Sequence, residues 1–169
     1  GLQFLRECTP ARTRHNIGWR VLDVLATRWR ATPGESTIEY RCRTAAFRDR
    51  DVVLMEPLTY MNRSGDALAA WRERHGLELS DLLVVCDDVY LPLGALRLRV
   101  QGSSGGHRGL ESLEEAVGTP DYARLRLGVG DAGGSERLRE HVLEEFEPSQ
   151  DELLRRTVER AADAVECWL

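Results

Sequence analysis

The sequence has no lysine: all 23 of its basic side chains are arginines. The plainest source of that bias is genome composition. Whatever its source, any phosphate contact this chain makes is a planar, bidentate arginine contact. Asparagine is almost as scarce, limited to Asn16 and Asn62. Long hydrophobic runs are missing too. No stretch approaches the ~18 apolar residues of a membrane span, and no signal-peptide pattern is present, so no membrane association is expected. Cys8, Cys42, Cys86 and Cys167 are the only cysteines and are widely scattered. That pattern predicts reduced thiols in a cytoplasmic protein rather than a disulfide framework. Four histidines and four cysteines without ligand spacing predict no metal site, and nothing calls for a cofactor. A net charge of −5 argues against generic polyanion binding, DNA included.

What is present is ordinary for a globular protein: 42% hydrophobic and 30% charged residues. Residues 1–169 fit one domain, long enough to bury roughly two-thirds of its unfolded surface. Charge is unevenly placed, with acidic residues concentrated after Glu111. Arg97, Arg99, Arg124 and Arg126 lie on two short strand-like segments, which leaves room for a local basic patch on an acidic protein.

Residues 1–12 show neither helical nor strand periodicity. From Ile17, apolar residues recur at Val21, Leu22, Val24, Leu25 and Trp29, a helical spacing that ends before Pro33-Gly34. Ile38, Tyr40 and Cys42 alternate as in a half-solvated strand. Arg50-Asp51 reads as a turn into a short buried strand, Val52–Met55, closed by Pro57. Asp66 to His75 reads as a helix stopped by Gly76. Leu82–Cys86 is apolar throughout, as a central strand is, and delivers Asp87-Asp88 at its carboxyl end. Leu91–Gly94 is a loop. Two strands then alternate arginine and leucine, Leu96–Val100 and Arg124–Leu127. Between them a helix carries Leu110, Leu113 and Val117 and stops at Gly118 and Pro120. After a flexible Gly128–Gly134 connection, Ser135 opens a helix to Phe146. Ser149 and Glu152 form a capping box for the last helix. Alternating strands and helices predict an α/β fold, a three-layer sandwich with a mostly parallel or mixed central sheet and helices on both faces.

His15 precedes the first helix, flanked by Arg14 and Asn16. A single histidine is more often structural than catalytic. What points to chemistry is Asp87, at the strand edge where open α/β sheets bind ligands. A carboxylate that accepts from one imidazole nitrogen prepares the other to take a proton from water. Asp88 is the decoy, because alternation turns only one of the pair toward the site. Asn16 and Asn62 each offer donor and acceptor to a peptide-like group, or serve as turn and cap residues. The loop Gly102–Gly109, with His107 near its end, brings backbone N–H groups to an anion. With arginines on either side of it in the sequence, a phosphate-bearing ligand fits. Cys86, closing a buried strand, reads as packing rather than a nucleophile.

Several segments, in order, resemble the bacterial-type peptidyl-tRNA hydrolase family across nearly all of 13–169. They are Thr13–Trp19, Pro57–Gly65, Asp87-Asp88 with Leu91-Pro92 and Gly94, Gly102–His107, and Arg124–Gly130; the Ala161–Ala164 helix is also similar. The resemblance implies a monomeric, cofactor-free esterase that cleaves the ester between a peptide and the tRNA 3′ ribose. By it, His15 is the general base, Asp87 orients it, Asn62 positions substrate and water, and Tyr60 lines the site. Arg97, Arg99 and Arg126 meet tRNA phosphates, and His107 and Arg108 lie toward the tRNA end. The other reading is a catalytically weak relative that binds tRNA or another structured RNA.

Two departures qualify the match. The family opens with a strand ending in Gly-x-Gly-Asn-Pro-Gly, and here no asparagine precedes Asn16. Either Gly1-Leu2 begins a diverged version, or Gly1 is the motif's last glycine and the strand before it is absent. Such an absence would leave a gap in the sheet, so an incomplete chain is suspected. Arg108 also replaces the asparagine of the family's Gly-His-Asn-Gly. A donor-only cation in place of a two-way amide alters contacts to the tRNA end.

Overall fold

A computed structural model describes residues 13–131 and 137–169. In chain order its elements are α1 (Ile17–Arg28), β1 (Thr32–Ser36), β2 (Tyr40–Phe47), β3 (Arg50–Pro57), α2 (Ser64–His75), β4 (Leu83–Asp88), β5 (Leu96–Arg99), α3 (Arg108–Val117), β6 (Ala123–Gly128), α4 (Leu138–Leu143) and α5 (Asp151–Trp168). Strands and helices alternate as expected of an α/β fold. The anticipated Ser135 cap and the departures before Thr13 lie outside the described residues. No helix among the described residues is long and apolar enough to cross a membrane.

The chain divides into two compact units. The first comprises Gly1–Leu25, Val84–Arg99 and Arg124–Leu169. Its three described strands run in the order β4-β6-β5. Among the described residues β6 lies between β4 and β5 and is buried at every residue. β5 pairs antiparallel to β6, with Arg97 opposite Arg126 and Arg99 opposite Arg124. Opposed residues in an antiparallel pair share a face, so all four arginines lie on one face. That face is solvated only along β5. Arg124 and Arg126 are buried, so the arginine–leucine alternation of β6 does not mark a solvated face. Ile17, Val21 and Leu25 of α1, with Leu154, Val158, Ala161, Ala162 and Val165 of α5, supply the apolar core.

α5 is capped differently from expectation. Glu147 and Gln150 form a capping box around the 3-10 turn Pro148–Gln150, and Gln150 Oε1 accepts the Glu147 N–H at 3.1 Å. Glu152 is instead occupied by Arg155 and Arg156, whose guanidiniums donate to its carboxylate at 2.7–3.1 Å. These bonds hold the Glu152 carboxyl down at about 2.

The second unit comprises Ala26–Leu83 and Val100–Ala123. β1, β2 and β3 form an antiparallel meander with β2 in the middle. β1 contains Pro33 and Gly34, where the sequence predicted only a helix stop. An edge strand tolerates proline because one side of its backbone needs no ladder partner. The β2–β3 turn falls at Arg48-Asp49, with Arg48 left-handed at φ 55, two residues before the predicted turn. Ile38 lies outside the strand and is exposed. β3 is not fully buried either, because its residues alternate in exposure.

Tyr40, Cys42 and Met55 pack against Ala67, Ala70 and Trp71 of α2. Glu35 ties β1 to both partners. Its carboxylate accepts from Tyr40 Oη at 2.9 Å, Arg74 at 2.6 Å and His75 at 2.7 Å. Those donors, His75 first, hold its carboxyl below the usual range. α2 ends at Gly76 and α3 at Gly118, as expected. The two helices pack together at Gly65, where an added Cβ would stand 2.1 Å from the Ser112 carbonyl oxygen. Backbone cannot yield as a side chain does. Gly65→Ala is therefore expected to lower stability by about 3 kcal/mol, read as a drop in the urea midpoint. An unchanged midpoint would contradict this helix contact.

Candidate active site

His15 sits in the 3-10 turn Arg14–Asn16, directly before α1. Thr13, Arg14 and Asn16 are buried, so His15 is the one partly accessible residue of this stretch. Its Nδ1 lies 2.6 Å from Asp87 Oδ1, with side-chain exposures of 13% and 3%. Gly18 makes this approach possible. A Cβ there would lie 2.6 Å from the carbonyl oxygen of Val85, so its absence lets α1 close onto β4 two residues before Asp87.

The two aspartates diverge as strand alternation requires. Asp87 meets His15, while Asp88 accepts from the Tyr90 N–H at 2.9 Å and from Arg126 at 3.2 Å. Both are buried. A carboxylate at Nδ1 holds the proton on that nitrogen and puts the lone pair on Nε2. The pair can thereby accept a proton from water, and Asp87 offsets the charge of the resulting imidazolium.

Arg97 and Arg99 of β5 are exposed. Arg126, beside Arg97 on the same face, is engaged with Asp88. Like charges placed opposite each other in a ladder repel, and Asp88 offsets one of them. Burial pushes the Cys86 thiol up to about 12, with the Asp87 charge adding to the effect. It is not an activated nucleophile.

The remaining residues singled out in the sequence belong to the second unit. Tyr60 is exposed and opens the 3-10 turn Met61–Arg63, and Asn62 lies exposed within that turn. This turn packs against α3. A Cβ at Gly109 would meet the Met61 sulfur at 2.6 Å, so Tyr60, Asn62, His107 and Arg108 lie on neighbouring segments. His107 is the N-cap of α3, its Nδ1 accepting from the N–H groups of Gly109 and Leu110 at 3.1 and 3.2 Å. The Gly109 N–H, one of those the glycine-rich loop was expected to aim at an anion, is thus satisfied internally. Arg108 is exposed.

Arg14 stands in a polar stretch of sequence, yet it is buried. Its contacts are Val129, Phe146 and Gln150, more than a hundred residues away, and no local pattern announces them.

The fold and the comparisons define the class first: this is a hydrolase. The chain belongs to the peptidyl-tRNA hydrolase family, whose model, described as Peptidyl-tRNA hydrolase, matches residues 9–169. A peptidyl-tRNA hydrolase of Syntrophomonas wolfei is 40% identical over 159 residues, covering 94% of this chain and 86% of that protein. One from Aquifex aeolicus is 39% identical over 151 residues, covering 89% and 78%. Among solved structures, peptidyl-tRNA hydrolase from Acinetobacter baumannii superposes with a TM-score of 0.86 at 29% identity, covering 92% of this chain and 80% of that one. A peptidyl-tRNA hydrolase complexed with N-propanol gives 0.87 at 28% identity, covering 94% and 81%.

The thiols offer a direct check on the site's chemistry. At pH 8 a thiol near 12 is about one part in ten thousand thiolate. Cys86 is therefore expected to resist iodoacetamide in the folded protein while the exposed Cys167 reacts, as peptide mass spectrometry would show. Labelling of Cys86 at the rate of Cys167 would contradict its burial.

Proposed function

We propose that the chain hydrolyses the ester between a peptide and the tRNA 3′ ribose with His15 as general base. The observation supporting this is the 2.6 Å contact of His15 Nδ1 with the buried Asp87. Nε2 takes a proton from water as the water attacks the ester carbonyl. Asp87 stabilises the imidazolium through Nδ1, and the proton then passes to the departing ribose oxygen. The ester is already activated, so positioning carries much of the rate gain. Asn62 positions substrate and water, and Tyr60 lines the site beside it. His107 and Arg108 contact the tRNA end, with Arg108 adding a charge that an amide lacks.

Arg97 and Arg99 meet tRNA phosphates. Arg126 adds its charge beside Arg97 while its ion pair with Asp88 binds β6 to the end of β4. The protein acts without a cofactor, as one catalytic domain and as a monomer. Free thiols at Cys42, Cys86 and Cys167 fit the reducing cytoplasm. The partner is peptidyl-tRNA rather than DNA or a membrane.

Purified protein is expected to turn over an N-blocked aminoacyl-tRNA. His15→Ala and Asp87→Asn are each expected to lower kcat/KM by about 10²–10⁴. Arg97→Ala with Arg99→Ala should raise KM, leave kcat nearly unchanged and flatten the salt dependence. A wild type that retards tRNA in a salt-dependent manner without turnover would overturn the catalytic reading.

A further inference from the structure

Arg14 occupies an expensive position. Its guanidinium is buried beside the turn that carries His15. Nη1 donates to the Val129 carbonyl at 3.2 Å and Nη2 to Gln150 Oε1 at 3.4 Å, and its carbon centre lies 4.6 Å from the centroid of the Phe146 ring. Nε is buried with no hydrogen-bond partner. Desolvation lowers its pKa, against the pull of Glu144 and Glu147. Burying such a cation costs several kcal/mol, and apolar residues of similar volume often replace buried ion pairs with no loss of stability. Stability alone therefore does not account for an arginine here.

What the guanidinium supplies is direction. A three-residue 3-10 turn has poor hydrogen-bond geometry and little intrinsic order. This one is tied by its backbone to the segment after α4: the Arg14 N–H donates to the Glu144 carbonyl at 3.0 Å, and Thr13 bridges to Glu145. The Arg14 side chain grips the same segment at Phe146 and Gln150, and adds the exit of β6 at Val129. His141 of α4 reaches that exit as well, its Nε2 3.0 Å from the Gly130 carbonyl oxygen. A planar fork with fixed donors sets orientation where a flexible ammonium does not.

We propose that Arg14 is the positioning residue for His15, fixing the turn so that the imidazole meets Asp87. This rests on His15 being the general base. A displacement of about 1 Å at a reacting group costs on the order of 10²-fold in rate, so loosening the turn should appear in turnover rather than in binding.

The test uses the full chain with Arg14→Met, which keeps an unbranched apolar stem and removes the fork that lies over Phe146. Arg14→Lys keeps charge and stem without the fork. Arg20→Met serves as control, removing the second guanidinium near Phe146, 5.6 Å from its centroid, at a position in α1 outside the turn. Expected for Arg14→Met are a urea midpoint at or above wild type, kcat on a blocked aminoacyl-tRNA lowered about ten- to hundredfold, and KM within about twofold. The His15 Nδ1 proton resonance should move or broaden. Arg20→Met should keep wild-type kcat and resonance. Wild-type kcat and an unmoved His15 resonance in Arg14→Met would overturn the proposal, as would a loss confined to the urea midpoint. Should Arg14→Met fail to fold, Arg14→Lys decides the question through the same two readouts. If wild type itself shows no turnover, the catalytic reading fails, and the His15 resonance still decides the role of Arg14.

Discussion

The hydrogen bond between His15 and Asp87 is the constraint on which the rest of the first unit depends. One partner lies on a turn before a helix and the other at the end of a strand, 72 residues later. Holding them at 2.6 Å requires α1 to press onto the β4 backbone, which Gly18 permits by having no side chain. It also requires that the turn not swing, although a single 3-10 turn does little to fix itself. Thr13, Arg14 and Asn16 are buried around His15, so the chain offers the imidazole and little else of this stretch.

Arginine is used in two ways. Arg97 and Arg99 stand in solvent, where their charge is available to a polyanion. Arg14, Arg124 and Arg126 are buried, where charge is costly and geometry is what is gained. Arg126 shows the link between them: it shares a sheet face with Arg97 yet bonds to Asp88, the neighbour of the residue that meets His15. The second unit repeats the buried motif with signs reversed. There a buried Glu56 accepts from Arg41 and Arg43 across the meander. Shape and charge in both units thus rest on arginine–carboxylate pairs at different depths.

The legible parts of the sequence were those with local causes. α3 carries helical spacing, and both α2 and α3 end at glycines that adopt left-handed φ values. Asp87 and Asp88 were readable as a divergent pair because strand alternation is a local rule. The illegible parts depend on distant partners. β1 exists because β2 offers it a ladder, against the proline and glycine in its own sequence. The arginine–leucine alternation of β6 correctly gave its two faces, but not that both are covered. The last helix is preceded by a capping box of Glu147 and Gln150 in place of the expected Ser149 and Glu152, and Glu152 accepts from Arg155 and Arg156. Nothing within reach of Arg14 in the chain signals Val129 or Phe146.

The central claim is that Asp87 fixes the His15 proton on Nδ1 and so makes Nε2 the base. The ring-nitrogen shifts of His15 in isotopically labelled protein, at a pH where the ring is neutral, report this directly. The expected result is a protonated Nδ1 and an unprotonated Nε2 in wild type, with that preference weakened in Asp87→Asn. A neutral ring carrying its proton on Nε2 in wild type would contradict it.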